Sequence, residues 1–310
     1  MSVMKRFRVA GHSMTPTLQP GQEVVAVTTR EAIPGNLVVF EHPQRRDFWL
    51  IKRLVDETGW VVSDNPEVAD SDSRTLGPIL MDRLMPVVDR LDEDTFDLGV
   101  ELLVAEDESM ARLVDRWGLP VFWQRQPGFP TLVLLILEQQ VSLESGAAMY
   151  RRLNAVMERI TPESLIEIGP VRLREIGVTR QKTGYLLELA HQVAAGELDL
   201  ASLETHPVEQ ARSRLVEVKG IGPWTADAYL LSAERRPDMW PVGDRALQVG
   251  AGEILGMKAV PDETQLEILG EPWRPIRAIA ARLIWHAYLS QRGRVEPPDP
   301  TLAREVIPDA

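Results

Sequence analysis

The 310-residue chain contains no cysteine, which excludes disulfides, thiolate-ligated iron–sulfur clusters and cysteine-rich zinc sites. Long apolar runs are also missing, since the longest, 132–137, is far too short to cross a bilayer. No apolar run of signal-peptide length follows the basic first residues. We therefore expect a cytoplasmic, monomeric protein with no membrane partner.

Positive charge is scarce, because 34 Lys and Arg face 46 Asp and Glu and give a formal net charge of -12. Such a balance disfavours nonspecific binding to DNA, which is a polyanion. Between residues 272 and 295, however, the chain has five arginines and no acid: Arg274, Arg277, Arg282, Arg292 and Arg294. This local pattern is typical of a basic DNA-binding face, and equally of a solvated helix surface.

The pattern of apolar residues and turns predicts a small all-β domain over 1–92, a linker over 93–106, an all-α domain over 107–295 and a tail over 296–310. Strands are predicted at 23–27, 37–40, 49–55 and 60–63. Helices are predicted at 131–140, 143–158, 162–168, 171–176, 180–195, 208–218, 223–233, 244–255 and 274–288.

A very short turn, Gly220-Ile221-Gly222, separates two of these helical patterns, and Pro223 suits the first turn of the second. Glycine permits positive φ and close approach of bare backbone, and a helix start can bind a DNA phosphate through its N–H groups. An ordinary helical hairpin with a glycine cap has the same tripeptide. About twenty residues later, a loop ends in Asp244 at a predicted helix start.

Several motifs follow one another along the second part of the chain. The first are Phe-Pro at 129–130, Leu-Glu-Gln-Gln-Val-Ser at 137–142, Arg-Gln-Lys at 180–182 and Gly-Tyr at 184–185. The hairpin at 219–224, the Asp244 loop and Pro-Trp-Arg-Pro at 272–275 come after them. Over roughly 107–293 the chain resembles the helix-hairpin-helix DNA glycosylases, especially the 3-methyladenine DNA glycosylase II family. The resemblance implies double-stranded DNA with damaged bases as partner and no required cofactor. It further implies that the backbone carbonyls of Val216, Val218 and Gly220 can hold a structural monovalent cation.

Base excision places positive charge on the sugar in the transition state, so a nearby carboxylate stabilises it. We predict that Asp244 is this carboxylate, and a helix N-cap role is compatible with it. The resemblance assigns the remaining roles: DNA contacts to Gly220, Ile221, Gly222, Gln139, Gln140 and Arg274, with Gln140 as the intercalating wedge, and the base pocket to Trp224 and Trp273. Trp224 stands where bifunctional relatives carry a Schiff-base lysine, so strand cleavage is not expected. Ala228, where relatives can have an aromatic residue, leaves the substrate range open.

The first domain contains Gly-His-Ser-Met-Thr-Pro at 11–16, Gly-Asn-Leu-Val-Val-Phe at 35–40, Ile-Lys-Arg-Leu at 51–54, Ser-Asp-Asn at 63–65 and Asp-Ser-Arg at 72–74. These boxes resemble signal peptidase I-like serine peptidases, notably the short soluble kind that matures nickel superoxide dismutase. The resemblance implies a dyad in which Ser13 attacks a peptide substrate and neutral Lys52 accepts its proton. Apolar neighbours would lower the pKa of Lys52. A retained β-fold without activity would contain the same boxes.

These predictions combine into a two-domain chain: a monofunctional DNA glycosylase that excises alkylated bases, fused to a Ser–Lys peptidase module. One alternative is a processing serine protease with a DNA-binding helical adaptor. Another is a noncatalytic binder of damaged DNA, although an acid at Asp244 would contribute nothing to phosphate binding.

Overall fold

A computed structural model describes residues 3–68, 71–157 and 159–302. Residue 158, at the end of a predicted helix, and residues 303–310 of the predicted tail lie outside the described residues. In the described ranges, no helix is both long and apolar enough to span a membrane.

The first part of the chain is built from short antiparallel strands, as predicted. The strands are β1 (Met4–Arg8), β2 (Glu23–Val27), β3 (Leu37–Glu41), β4 (Trp49–Leu54), β5 (Val61–Val62) and β6 (Met85–Pro86), with one short helix, α1 (Ser73–Leu76). β1 and β2 form a two-stranded ribbon, and the other strands form a sheet in the order β5-β4-β3-β6. Glycine and proline turns between β-branched runs account for this arrangement.

The rest of the described chain is helical, which confirms the predicted fold class. The helices are α2 (Glu93–Glu106), α3 (Glu108–Trp117), α4 (Phe129–Glu138), α5 (Leu143–Ala155), α6 (Pro162–Glu175), α7 (Arg180–Ala194), α8 (Val208–Val216), α9 (Pro223–Ser232), α10 (Arg245–Ile254), α11 (Glu263–Gly270) and α12 (Arg277–Ser290). Two predicted helices merge into α6, which kinks where Gly169 takes φ 69 before Pro170. The predicted helix at 274–288 begins later, at Arg277, because Arg274 precedes Pro275 and is extended.

The linker predicted at 93–106 is wrong, since these residues form α2. Asp92 caps the helix through a capping box with Thr95. On one face, Phe96, Val100 and Leu103 are buried in the main core. Asp92, Glu93 and Asp94 lie at the start of this helix, where their negative charge interacts favourably with the helix dipole.

The β ribbon and the helices share one hydrophobic core. Met4, Val25 and Val27 of the ribbon belong to the same buried cluster as the central helices. Backbone contacts add to this packing: Leu91 N–H donates to the carbonyl of Arg235 at 2.8 Å. The ribbon therefore depends on the helices for burial of these side chains, whereas the four-stranded sheet buries Val38, Phe40 and Leu54 in a cluster of its own.

Candidate active sites

Asp244 lies at the N-terminus of α10, and its carboxylate accepts three N–H donors. Oδ1 accepts the backbone N–H of Leu247 at 2.7 Å, so Asp244 is the N-cap. Oδ2 accepts the indole N–H of Trp224 at 2.8 Å, and Oδ1 also accepts that of Trp285 at 2.9 Å. Two rigid rings and a helix end therefore fix the carboxylate, which remains partly exposed.

Sequence reasoning missed Trp285. The periodic apolar positions of α12 place Ile284 and Ala287 in the core, where both are fully buried. Trp285 lies beside that face and is only partly buried. Nothing local in the sequence signals its contact with Asp244, because 41 residues separate the two.

The hairpin between α8 and α9 has the predicted geometry at its glycines. Gly220 has φ 103, and a Cβ there would lie 2.3 Å from the ring of Tyr185 on α7. Gly222 is exposed and caps α9, with Pro223 in the first turn. The N-terminus of α9 therefore faces solvent with free N–H groups, as an anion site requires.

Gln139 and Gln140 differ in their environments. Gln139 is partly buried, and its Nε2 donates to the carbonyl of Gly220 at 2.8 Å and to Thr225 Oγ1 at 3.0 Å. This contact ties the end of α4 to the hairpin. Gln140 is exposed at a left-handed φ of 59, next to Val141, whose exposure is 47%.

Trp273 does not line a pocket with Asp244, contrary to the prediction. Its side chain is 2% exposed, its indole donates to Asp107 at 2.8 Å, and its ring packs edge-on against Trp240. Trp273 is therefore a core residue that joins the start of α3 to the segment before α12.

Arg274 was predicted to bind DNA, but its guanidinium is surrounded by acids. It pairs with Asp238 at 2.6 Å, Glu267 at 3.1 Å and Glu271 at 3.0 Å. The other four arginines of the 272–295 stretch also have acidic partners: Arg277 with Asp238 and Glu267, Arg282 with Glu296, Arg292 with Glu253, and Arg294 with Glu144. The predicted basic face is therefore largely neutralised, because folding brings acids from outside the 272–295 stretch to each of its arginines.

Two exposed cations near the hairpin and the Asp244 loop make no ion pair with a described residue. Lys219 stands directly before Gly220, and Arg245 directly follows Asp244. Among the described residues, Arg245 donates a hydrogen bond to Gln248, at 3.3 Å. Lys219 adjoins the hairpin, and Arg245 adjoins Asp244, which accepts the indole N–H of Trp224 on α9.

The predicted cation site consists of backbone carbonyls, each of which can bind a cation through a second lone pair while it accepts one hydrogen bond. Two of its three carbonyls already accept donors: that of Val218 from Ile221 N–H at 2.9 Å, and that of Gly220 from Gln139. Val216 ends α8.

In the first part of the chain, Ser13 and Lys52 meet although 39 residues separate them. Lys52 Nζ lies 2.7 Å from Ser13 Oγ, within range for proton transfer. Lys52 lies on β4 and is only 2% exposed, whereas Ser13 is partly exposed on the loop after β1. Because side chains alternate along a strand, Leu50 and Leu54 share its face, and they pack in an apolar cluster.

The last peptidase-like box supports the serine loop. Asn65 N–H donates to the carbonyl of Ser13 at 2.9 Å. Asp64 accepts Thr17 Oγ1 at 2.6 Å and pairs with Arg53 at 2.6 Å. The boxes that lie apart in the sequence therefore form one cluster around Ser13.

Comparison with known proteins agrees with both halves of this description. Residues 133–275 match the model of the family described as HhH-GPD superfamily base excision DNA repair protein, and residues 1–63 match that of signal peptidase, peptidase S26. A DNA-3-methyladenine glycosylase of Bacillus subtilis is 28% identical over 123 residues, which are 40% of this chain and 41% of that protein. The chain spans about half the length of the curated relatives it matches.

Solved structures extend the likeness. The DNA-3-methyladenine glycosidase of Bacillus halodurans is 29% identical with a TM-score of 0.55, over 63% of this chain and 91% of that one. An 8-oxoguanine glycosylase/lyase of Clostridium acetobutylicum, solved with DNA, has a TM-score of 0.51 over 87% of this chain and 96% of its own, at 14% identity. The second likeness concerns the fold alone. The second part of the chain thus resembles helix-hairpin-helix glycosylases, and the first part resembles S26 peptidases, as the motifs predict.

Proposed function

We propose that the helical part is a monofunctional DNA glycosylase that hydrolyses the N-glycosidic bond of alkylated bases, of the 3-methyladenine type, in base excision repair. The observation that carries this proposal is the carboxylate of Asp244, fixed by two indole N–H groups and a helix N-terminus next to a glycine hairpin. The names of the curated relatives support the choice of substrate class.

The chemistry follows from one fixed negative charge. The C1′–N bond breaks, its electron pair leaves with the base, and positive charge develops on the sugar. The Asp244 carboxylate stabilises this charge, orients the water whose oxygen forms the new bond to C1′, and accepts the proton that this water loses. Trp224 provides an aromatic surface on which an electron-poor alkylated base can stack.

DNA would be held at the surface that the hairpin shares with the Asp244 loop. The backbone N–H groups of Gly220 and Gly222 offer hydrogen bonds to a phosphate, and Lys219 and Arg245 add positive charge that no described acid pairs. Gln140, exposed at the tip of its turn, would fill the gap left by the extruded base. This local surface explains how a chain of net charge -12 can bind a polyanion.

The test is base release from alkylated duplex DNA by the full chain under single-turnover conditions. Wild type should release free 3-methyladenine and leave the strand intact. Absence of release from duplexes carrying methylated or ethenylated purines would contradict the proposal.

A second activity is favoured by one specific observation, the 2.7 Å contact between Lys52 Nζ and Ser13 Oγ in a buried apolar setting. We infer that this part is a Ser–Lys peptidase: Oγ attacks a peptide carbonyl, Nζ takes the hydroxyl proton, and the proton then passes to the leaving amine. The rival function, a processing protease with a DNA-binding helical adaptor, rests on the same dyad.

Two measurements on the full chain test the peptidase, because the shared core argues against studying residues 1–95 alone. A fluorophosphonate probe should label Ser13, and labelling should vanish in Lys52→Met and Ser13→Ala. NMR titration of the Lys52 ammonium gives its pKa directly. A normal lysine pKa without labelling would leave this part as scaffold, while base release by Ser13→Ala would exclude the adaptor alternative.

A further inference from the structure

Residues 138–141, which we call the wedge turn, form a tight turn at the end of α4. Val141 N–H donates to the carbonyl of Glu138 at 3.3 Å and closes it. Gln139 has φ -56 and ψ 126, and Gln140 has φ 59, which corresponds to a type II turn. Such a turn favours glycine at the position of Gln140, so a glutamine there needs support from its surroundings.

That support comes from the side chain of Glu138, the first residue of the turn. Its carboxylate is 4% exposed, and Arg125 Nη2 lies 2.9 Å from Oε1 and 3.1 Å from Oε2. α5 passes so close that a Cβ on Gly146 would lie 2.5 Å from Glu138 Cγ. A buried ion pair contributes little net stability compared with apolar residues of the same volume, so its presence here favours a positional role.

The described part of the C-terminal segment, residues 296–302, packs over this pair. The Asp299 side chain is 9% exposed, and its Oδ2 lies 3.9 Å from Arg125 Nε. Oδ2 is buried and accepts no hydrogen bond from a described residue, whereas Oδ1 accepts Thr301. Its negative charge is therefore directed at Arg125.

We propose that Arg125 is a positioning residue of the wedge turn, held by Asp299 of the C-terminal segment and acting through Glu138. This inference rests on the proposed glycosylase function. Arg125 fixes the first residue of the turn, and Gln139 bonds the second to Gly220. These two contacts set the position of Gln140 relative to the hairpin. Gln140 and the phosphate site of the hairpin can therefore contact the same DNA duplex at the same time.

The experiment compares variants of the full chain. Arg125→Gln removes the charge of Arg125, Arg125→Lys tests rescue by a conservative replacement, and Asp299→Asn removes the charge of Asp299 alone. Arg294→Gln is the matched control, because Arg294 pairs with Glu144 at 2.9 Å on the exposed surface near the same segment.

Hydrogen exchange of the DNA-free protein is the first readout. The amide of Val141 should exchange at least about tenfold faster in Arg125→Gln, and less so in Asp299→Asn and Arg125→Lys. The second readout is the fluorescence of a 2-aminopurine placed opposite the lesion, and base release is measured on the same duplex. The fluorescence signal and the rate of base release should both fall in Arg125→Gln. The rate of release should fall by about 10–100-fold, since displacements near 1 Å have effects of that size. Binding to an abasic-site duplex should change far less.

Folded Arg125→Gln and Asp299→Asn chains with wild-type exchange at Val141 would overturn the proposal. A loss of the same size in Arg294→Gln would overturn it too. If Arg125→Gln does not fold, the exchange rate of the Val141 amide in Asp299→Asn tests the proposal instead. Failure of the wild type to release any base contradicts the glycosylase, whereas the exchange of Val141 still decides whether the ion pair fixes the turn.

Discussion

Replacement of Asp244 by asparagine should nearly abolish base release. The substitution keeps the size of the side chain but removes the negative charge that faces the developing positive charge on the sugar. Loss of one preorganised electrostatic group typically lowers the rate about 100–1000-fold, or about 3–4 kcal/mol of transition-state stabilisation. We expect a loss at least this large, because a full charge disappears.

The same substitution should also reduce stability, since the carboxylate accepts three N–H donors. An asparagine carbonyl can keep the N-cap bond to Leu247 and the bond from Trp285, both made to Oδ1. Its amide NH₂ then faces the N–H of Trp224, donor against donor. An unmade hydrogen bond at a partly buried site costs about 1–3 kcal/mol in free energy of unfolding.

Three measurements separate these effects: single-turnover base release, denaturant unfolding, and binding to an abasic-site duplex. Asp262→Asn is the matched control, because Asp262 caps α11 in the same way without indole donors. It should leave base release unchanged. Asp244→Asn should keep abasic-site binding within a few-fold of wild type. Near-wild-type release by folded Asp244→Asn would remove Asp244 from the mechanism.

Three further predictions concern strand cleavage, DNA docking and acid stability. Because Trp224 cannot form an imine, borohydride should trap no covalent enzyme–DNA adduct, and any adduct would contradict a monofunctional enzyme. Gly222→Val should weaken DNA binding about tenfold at several salt concentrations without lowering stability, since a Cβ at Gly222 meets nothing within 4 Å; unchanged binding would exclude docking there. Burial raises the pKa of Asp72, but bonds from Arg74 and two backbone amides outweigh it and lower the pKa to about 2. Its contribution, about 1–2 kcal/mol, is present above the unfolded pKa near 3.8 and is lost as pH falls towards 2, so Asp72→Asn should flatten the pH dependence of unfolding there.

Features that depend on neighbouring residues were predictable from the sequence. The hairpin glycines, Pro223 at the start of α9 and Asp244 at the start of α10 follow from local φ preferences and capping chemistry. Helical periodicity likewise located most helices within a few residues. Ser13 and Lys52 were found through the boxes around them, although the 2.7 Å contact itself is made by the fold.

Contacts between distant segments were not predictable. A run of arginines without acids forms a basic face only if no acidic residue from outside the run packs against it. In the folded chain, Arg274 forms ion pairs with Asp238 and Glu267. Trp273 and Trp285 are both tryptophans in or near the last helix, yet one fills the core and the other holds Asp244. Composition cannot separate them, because tertiary packing alone decides which ring reaches the carboxylate.

The shared core bears on why the two parts occur in one chain. Met4 and Val27 of the ribbon are buried with helical residues, and Arg90 pairs at 2.6 Å with the buried Glu234, just after α9. Because α9 carries Trp224, the segment that ends the first part contacts the residues directly after the helix that holds one side of Asp244. The β part therefore supports the glycosylase scaffold whether or not Ser13 is reactive, and loss of the dyad need not disturb that support. The residues of the first part that pack on the helices, Met4, Val25 and Val27, are distinct from Ser13 and Lys52.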